Sequence, residues 1–145
     1  MFSGKYEYTI DDKGRLSIPS RYREILSADR ESKLFVSNFL DGFLVAYPEK
    51  EWSRVQEKLA SRPGKEVRDF QRFFYASVSE CTFDRLGRIL IPQSLRNDAG
   101  IKKNVVIVGM DKKLEIWAEE AWAEAIQRVR GDKKKMEQIV ADLDL

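Results

Sequence analysis

Four cations surround two glycines in this chain, and residues of these types at this spacing suit the binding of phosphate. Lys13 and Arg15 bracket Gly14 in DDKGRLSIPSRYR, residues 11–23, and Arg85 and Arg88 stand around Gly87 in DRLGRILIPQSLR, residues 84–96. Glycine opens a backbone bend closed to residues with a β-carbon and lets the chain approach another molecule closely. Arginine adds a planar fork that holds a phosphate or reaches the edge of guanine, whereas lysine acts as a point charge. Arg21, Arg23 and Arg96 follow in the same stretches and extend the cationic surface. One isolated turn of this kind reads best as a solvated loop. Two copies with the same glycine and arginine, each followed by a helix carrying arginine, favour nucleic-acid binding.

Asp11 and Asp84 each precede an arginine by four residues, so D-x-x-x-R is written twice. A carboxylate aimed at phosphate would repel it. The expected role is structural: the aspartate accepts hydrogen bonds from turn amides or holds the arginine at the strand base. Asp11, Gly14, Asp84 and Gly87 are therefore read as motif residues, and Arg15 and Arg88 as partly structural.

Net charge says little at +2, but its distribution says more. The windows Lys13–Arg23 and Arg85–Arg96 hold seven cations and no acid, leaving 19 basic against 24 acidic residues elsewhere. Histidine is absent, which removes the commonest neutral-pH proton shuttle and transition-metal ligand. No phosphate-loop, dinucleotide or metal-ligand spacing stands out. No catalytic residue, metal or cofactor is expected. A phosphate-ester enzyme built on Asp11 and Asp84 would need convergent carboxylates and usually a metal ion.

The single cysteine, Cys81, cannot close an intrachain disulfide and reads as a small buried hydrophobe. The start MFSGKYEYTIDDKGR lacks the apolar stretch of a secretion signal, and the longest aliphatic run, VVIV at 105–108, is far short of the roughly 20 residues a membrane span needs. A cytoplasmic chain with no membrane partner is expected.

The elements that position these residues are duplicated too. An offset of 73 pairs Glu7 with Glu80, Thr9 with Thr82, Asp11 with Asp84, Pro19 with Pro92 and Arg23 with Arg96. Later, FLVAYPEKEW at 43–52 matches KLEIWAEEAW at 113–122 with offset 70, so the first copy is longer in between. Each copy predicts a strand, the glycine turn, a second strand ended by proline, a short helix, a hairpin and a closing helix. Asp41-Gly42 suits a tight type I′ turn in the first hairpin, and Asp111 to Lys113 is a weaker turn signal in the second.

Two pieces stand outside the repeat on this reading. Residues 61–76 form a helical linker with Val67, Phe70 and Phe74 on one face. Residues 131–145 form an amphipathic tail helix with Met136, Ile139, Val140 and Leu143, docking on the body or on a neighbouring subunit. The repeats themselves are 1–60 and 77–130. Halves this small bury too little apolar surface alone, so a shared core is expected. The tryptophans and phenylalanines fall at core spacing rather than as base-stacking platforms.

At the motif residues the sequence resembles the MraZ family of bacterial transcriptional regulators, within the wider AbrB-like superfamily. DDKGRLSIPSRYR and DRLGRILIPQSLR are similar to that family's two D-x-x-x-R motifs, and the opening MFSGKYEYTIDDKGRLSIPSRYR is similar to its amino terminus almost throughout. The resemblance implies an α+β fold in which tandem AbrB-like repeats form a swapped-hairpin β-barrel pseudo-dimer with surrounding helices. It also implies a ring-like homo-oligomer on double-stranded DNA, binding short promoter repeats upstream of the division and cell-wall gene cluster, in the nucleoid. By position the motif residues are Asp11 and Arg15, then Asp84 and Arg88. Leu86 stands where the first copy has Lys13, and Arg85 replaces Asp12, so the two turns are chemically unequal. An antitoxin-like module is the rival from another class, but such chains usually carry one motif copy and a long acidic tail.

Overall fold

Each half folds into the same succession of elements because the same local signals recur. The computed structural model describes residues 1–145. The first half runs β1 (Lys5–Thr9), β2 (Arg15–Ser17), α1 (Ser20–Ala28), β3 (Lys33–Asn38), β4 (Leu44–Pro48), α2 (Glu49–Ser61) and α3 (Lys65–Ser77). The second runs β5 (Ser79–Thr82), β6 (Arg88–Leu90), α4 (Gln93–Asp98), β7 (Asn104–Met110), β8 (Lys113–Ala118), α5 (Glu119–Gly131) and α6 (Lys133–Asp142). The fold is α+β, with six helices and antiparallel strands. The segment read as a linker contains α3 and the tail contains α6, so both pieces take the last place in their half.

Pro19 and Pro92 sit just before α1 and α4, where an extended backbone ends the strand and no amide is required. Both helices stop in the same way. Arg30 and Gly100 adopt positive φ, and the next amides, those of Glu31 and Ile101, donate back to the carbonyls of Leu26 and Arg96. That closure satisfies carbonyls the helix end would leave open. At the first hairpin Asp41 and Gly42 both have positive φ, as Asp-Gly permits.

The strands join in the order β1-β7-β8-β4-β3-β5. Each half lends its first strand to the hairpin of the other: Glu7 of β1 faces Val106, and Glu80 of β5 faces Phe35. The hairpins meet along β4 and β8, where Val45 faces Glu115. β2 and β6 form a separate two-stranded antiparallel ribbon, with Leu16 facing Ile89. Backbone pairing does not close the six strands into a barrel, since β1 and β5 remain edges.

Alternation along the strands decides which side chains meet. Leu34, Val36, Leu44, Ala46, Val105, Ile107, Leu114 and Ile116 point to one face and join Leu16, Ile18, Ile89 and Ile91 in a single core drawn from both halves. Burying each Leu, Ile or Val is worth about 1.5–3 kcal/mol, so neither half keeps its stability without the other. On the opposite face α2 and α3 cover Val45 and Tyr47 with Trp52 and Phe74, while α5 covers Val106 and Trp117.

Tyr22 ties α1 to the amino terminus. Its ring meets Phe2 and Tyr6 edge-on at 5.3 and 5.2 Å, and its hydroxyl is shared between the carbonyls of Ser3 and Gly4 at 2.7 and 2.8 Å. Gly4 also accepts the Gly109 amide, so loss of the hydroxyl strands only the Ser3 carbonyl. Tyr22→Phe should lower stability by about 1 kcal/mol, read as a shifted urea midpoint with an unchanged slope.

Candidate nucleic-acid interface

In both glycine turns the aspartate is the organiser. Oδ1 of Asp11 accepts the amides of Lys13 and Arg15 at 3.1 and 2.8 Å, and Oδ2 accepts Nε of Arg15 at 2.6 Å. Asp84 repeats the arrangement with the amides of Leu86 and Arg88, both at 2.9 Å, and Nε of Arg88 at 2.8 Å. Four residues is the span at which one carboxylate reaches the turn amides and the guanidinium together. Each carboxylate therefore braces its turn from within.

The amide of Arg15 is the chief cause that lowers the Asp11 pKa, with the Arg15 side chain adding to it; the amide and side chain of Arg88 do the same for Asp84. A carboxylate whose folded pKa is depressed contributes stability that is present above its unfolded pKa of about 3.9 and is lost as pH falls through the folded value. Asp11→Asn with Asp84→Asn should flatten the decline of thermal stability below about pH 4. Parallel acid profiles for parent and variant would contradict the assignment.

The glycines themselves are buried, not presented to a partner. Gly14 has φ +91° and lies under Arg96 of the other repeat; a β-carbon there would stand 2.5 Å from the Ile91 carbonyl oxygen and 2.9 Å from the guanidinium carbon. Gly87, at φ +75°, lies under Arg23 in the same way. The close approach that the sequence suggested is thus made by the chain itself, one half clasping the other. Arg23 and Arg96 are held for this task by hydrogen bonds from Nε to the carbonyls of Ile18 and Ile91, each at 3.0 Å. The signal for the clasp was present, since nine residues separate glycine from arginine in both copies, but it does not say that the arginine belongs over the other copy's glycine.

What remains outside is the tip of each turn. Asp12 and Lys13 are exposed in the first, Arg85 and Leu86 in the second. The turns stand at the two ends of the β2/β6 ribbon, because the Ile91 amide donates to the Gly14 carbonyl and the Ile18 amide to that of Gly87, extending the ladder by one step at each end. Four steps of strand separate the glycines, or about 14 Å. Leu16 and Ile89 point into the core, so the alternate residues Arg15, Ser17, Arg88 and Leu90 form the outward face. Arg15 faces Leu90 and Arg88 faces Ser17, which places the arginines as diagonal neighbours about 7–8 Å apart.

Each glycine turn is thus one half of a two-fold device, and a match to known proteins spans both halves. The chain matches the family described as "MraZ protein, putative antitoxin-like" over residues 1–73 and again over 74–141. It belongs to the MraZ family. It is 40% identical over 147 residues to a protein of Heliobacterium modesticaldum named transcriptional regulator MraZ, with all of both chains covered. A protein of that name from Moorella thermoacetica is also 40% identical over full length, and one from Lachnoclostridium phytofermentans is 45% identical over 123 residues, 84% of each chain.

Within this MraZ-family chain the two-fold is imperfect on the outward surface. Arg15 and Arg88 match, and so do Arg23 and Arg96. Lys13 answers to Leu86, Ser17 to Leu90 and Arg21 to Ser94. Leu86 and Leu90 are 69% and 55% exposed, so the second repeat offers a cation and two apolar side chains where the first offers lysine and hydroxyl. Arg21 is exposed on α1, outside the clasp made by Arg23 and Arg96. The pairing of β2 with β6 was not legible in either copy alone.

Proposed function

We propose that this chain is a DNA-binding transcriptional regulator that lays the β2/β6 ribbon and its flanking turns against double-stranded DNA. The supporting observation is the outward pair Arg15 and Arg88 on a two-stranded ribbon whose ends carry the exposed cations Lys13 and Arg85. A two-stranded ribbon fits the major groove of B-DNA, about 12 Å wide, and a turn spacing of about 14 Å lets the two ends reach phosphates on both sides. Lys13 and Arg85 act on phosphates and release counterions; Arg15 and Arg88 keep their terminal nitrogens for bases or phosphates while Nε stays on aspartate. Arg21 flanks the surface, and Arg23 and Arg96 serve it by holding the turns.

On this reading the two halves interlock as a swapped-hairpin pseudo-dimer, and the chain acts without catalysis in the cytoplasm, on the nucleoid. Identical copies assemble into a ring, so that weak single contacts add up over the short promoter repeats of the division and cell-wall gene cluster. The name shared by the full-length relatives supports transcription control. The reading is tested by titrating a promoter fragment bearing the repeats against one of equal length with the repeats scrambled, at fixed salt. Preference for the repeats by at least about a thousandfold is expected. Equal affinity for both fragments would overturn sequence-specific regulation.

A further inference from the structure

The two halves differ most where the last helix of each lies. In the first half α3 covers the outer sheet face over β3. Phe74 is 1% exposed and meets Phe70, Trp52 and Tyr47, the Ser37 hydroxyl donates to its carbonyl at 2.5 Å, and the Asn38 amide donates to the Ser77 hydroxyl at 3.2 Å. The link Arg62–Gly64, with Gly64 at φ +131°, turns α3 back along α2, and Gln71 reaches the Leu59 carbonyl at 3.2 Å. Helical hairpins need a connection of about 2–5 residues.

In the second half α5 and α6 are separated by Asp132 alone, whose side chain caps α6 on the Lys135 amide. One residue is too short for the return, so α6 leaves the face it would otherwise cover. Its Met136, Ile139 and Leu143 repeat the spacing of Val67, Phe70 and Phe74. Met136 is half-buried, whereas Ile139, Val140 and Leu143 are 42%, 45% and 63% exposed. The matching outer face is only partly covered: α5 buries Val106, but Val108, where Ser37 stands in the other half, is half-buried, Val129 answers to Leu59, and Val129 and Met110 are each 45% exposed. A valine in place of the docking serine suits an apolar helix face.

We propose that α6 of one chain packs on the outer face of β7 beside α5 of a second copy, in the place α3 takes over β3 within its own half. The same orientation brings the acidic end of α6, Asp142 and Asp144, to the hairpin tip where Lys112 is exposed, beside Lys5, which also lies 3.3 Å from Glu7. The helix and the face that receives it are different surfaces, so the contact is heterologous and repeats from chain to chain until the rotation closes. This rests on the homo-oligomeric reading above and assigns it an interface.

The test is the solution mass of the full chain by sedimentation velocity, for the parent, for Ile139→Asp with Leu143→Asp, and for Val129→Asp. All six helices should persist by circular dichroism with cooperative melting. The parent is expected to be an oligomer and each variant alone a monomer. An equimolar mixture should form a 1:1 heterodimer, since one variant keeps the face and the other the helix. Variants that assemble like the parent, or a mixture that stays monomeric, would overturn this interface while leaving oligomerisation intact. A monomeric parent would overturn both.

Discussion

Gly14→Ala will destabilise the fold more than any other single methyl addition in the turns. The residue holds φ +91°, and a side chain in that region costs about 1–3 kcal/mol. The new methyl would also stand 2.5 Å from the Ile91 carbonyl oxygen, a backbone atom on the partner strand that cannot turn aside, which adds about 1–3 kcal/mol of overpacking. Gly87→Ala carries the same backbone penalty, but its nearest atoms are the flexible end of Arg23 at 2.6 Å. Urea unfolding should therefore rank the parent above Gly87→Ala and Gly87→Ala above Gly14→Ala. The reverse order would mean that the two turns are not clasped as described.

The second large effect is on DNA. Arg15→Ala with Arg88→Ala removes both forks from the ribbon face, and each good arginine contact is worth about 1–3 kcal/mol, so affinity for the repeats should fall by at least roughly thirtyfold. Because Nε of each arginine also braces a turn, the loss counts only if the variant melts like the parent; Arg15→Lys with Arg88→Lys then separates the charge, which is kept, from the planar fork, which is lost. Lys13→Ala with Arg85→Ala should act differently. It weakens all sequences alike and lowers the slope of log affinity against log salt by about 1.8, near 0.9 for each phosphate no longer neutralised.

Much of this fold was legible because duplication supplies its own control. Repeated proline after RLSI and RILI marked the ends of β2 and β6, and the aliphatic run VVIV followed by LEIW across a short turn marked β7 and β8. The D-x-x-x-R spacing announced a braced turn because an aspartate can reach both amides and guanidinium over that span. Partners across the two copies were not legible. Periodicity says which face of a strand is buried, but it does not say that β1 pairs with β7 rather than with a strand of its own half. Identical signals in two halves leave that choice open, and the clasp of Arg23 and Arg96 over the opposite glycines depends on it. The exposure of α6 escaped for another reason: its apolar spacing equals that of α3, and only the length of the preceding link separates a helix that returns from one that does not.

Contact between the outward β2/β6 face and DNA is open to a direct chemical measurement. The native thiol Cys81 is 4% exposed and burial raises its pKa, so it reacts slowly and leaves an introduced cysteine to report alone. Thiol labelling of Leu90→Cys on the ribbon should slow at least about tenfold when saturating promoter DNA is added, while labelling of Glu66→Cys on the exposed start of α3 keeps its rate. Equal labelling of Leu90→Cys with and without bound DNA would contradict the account.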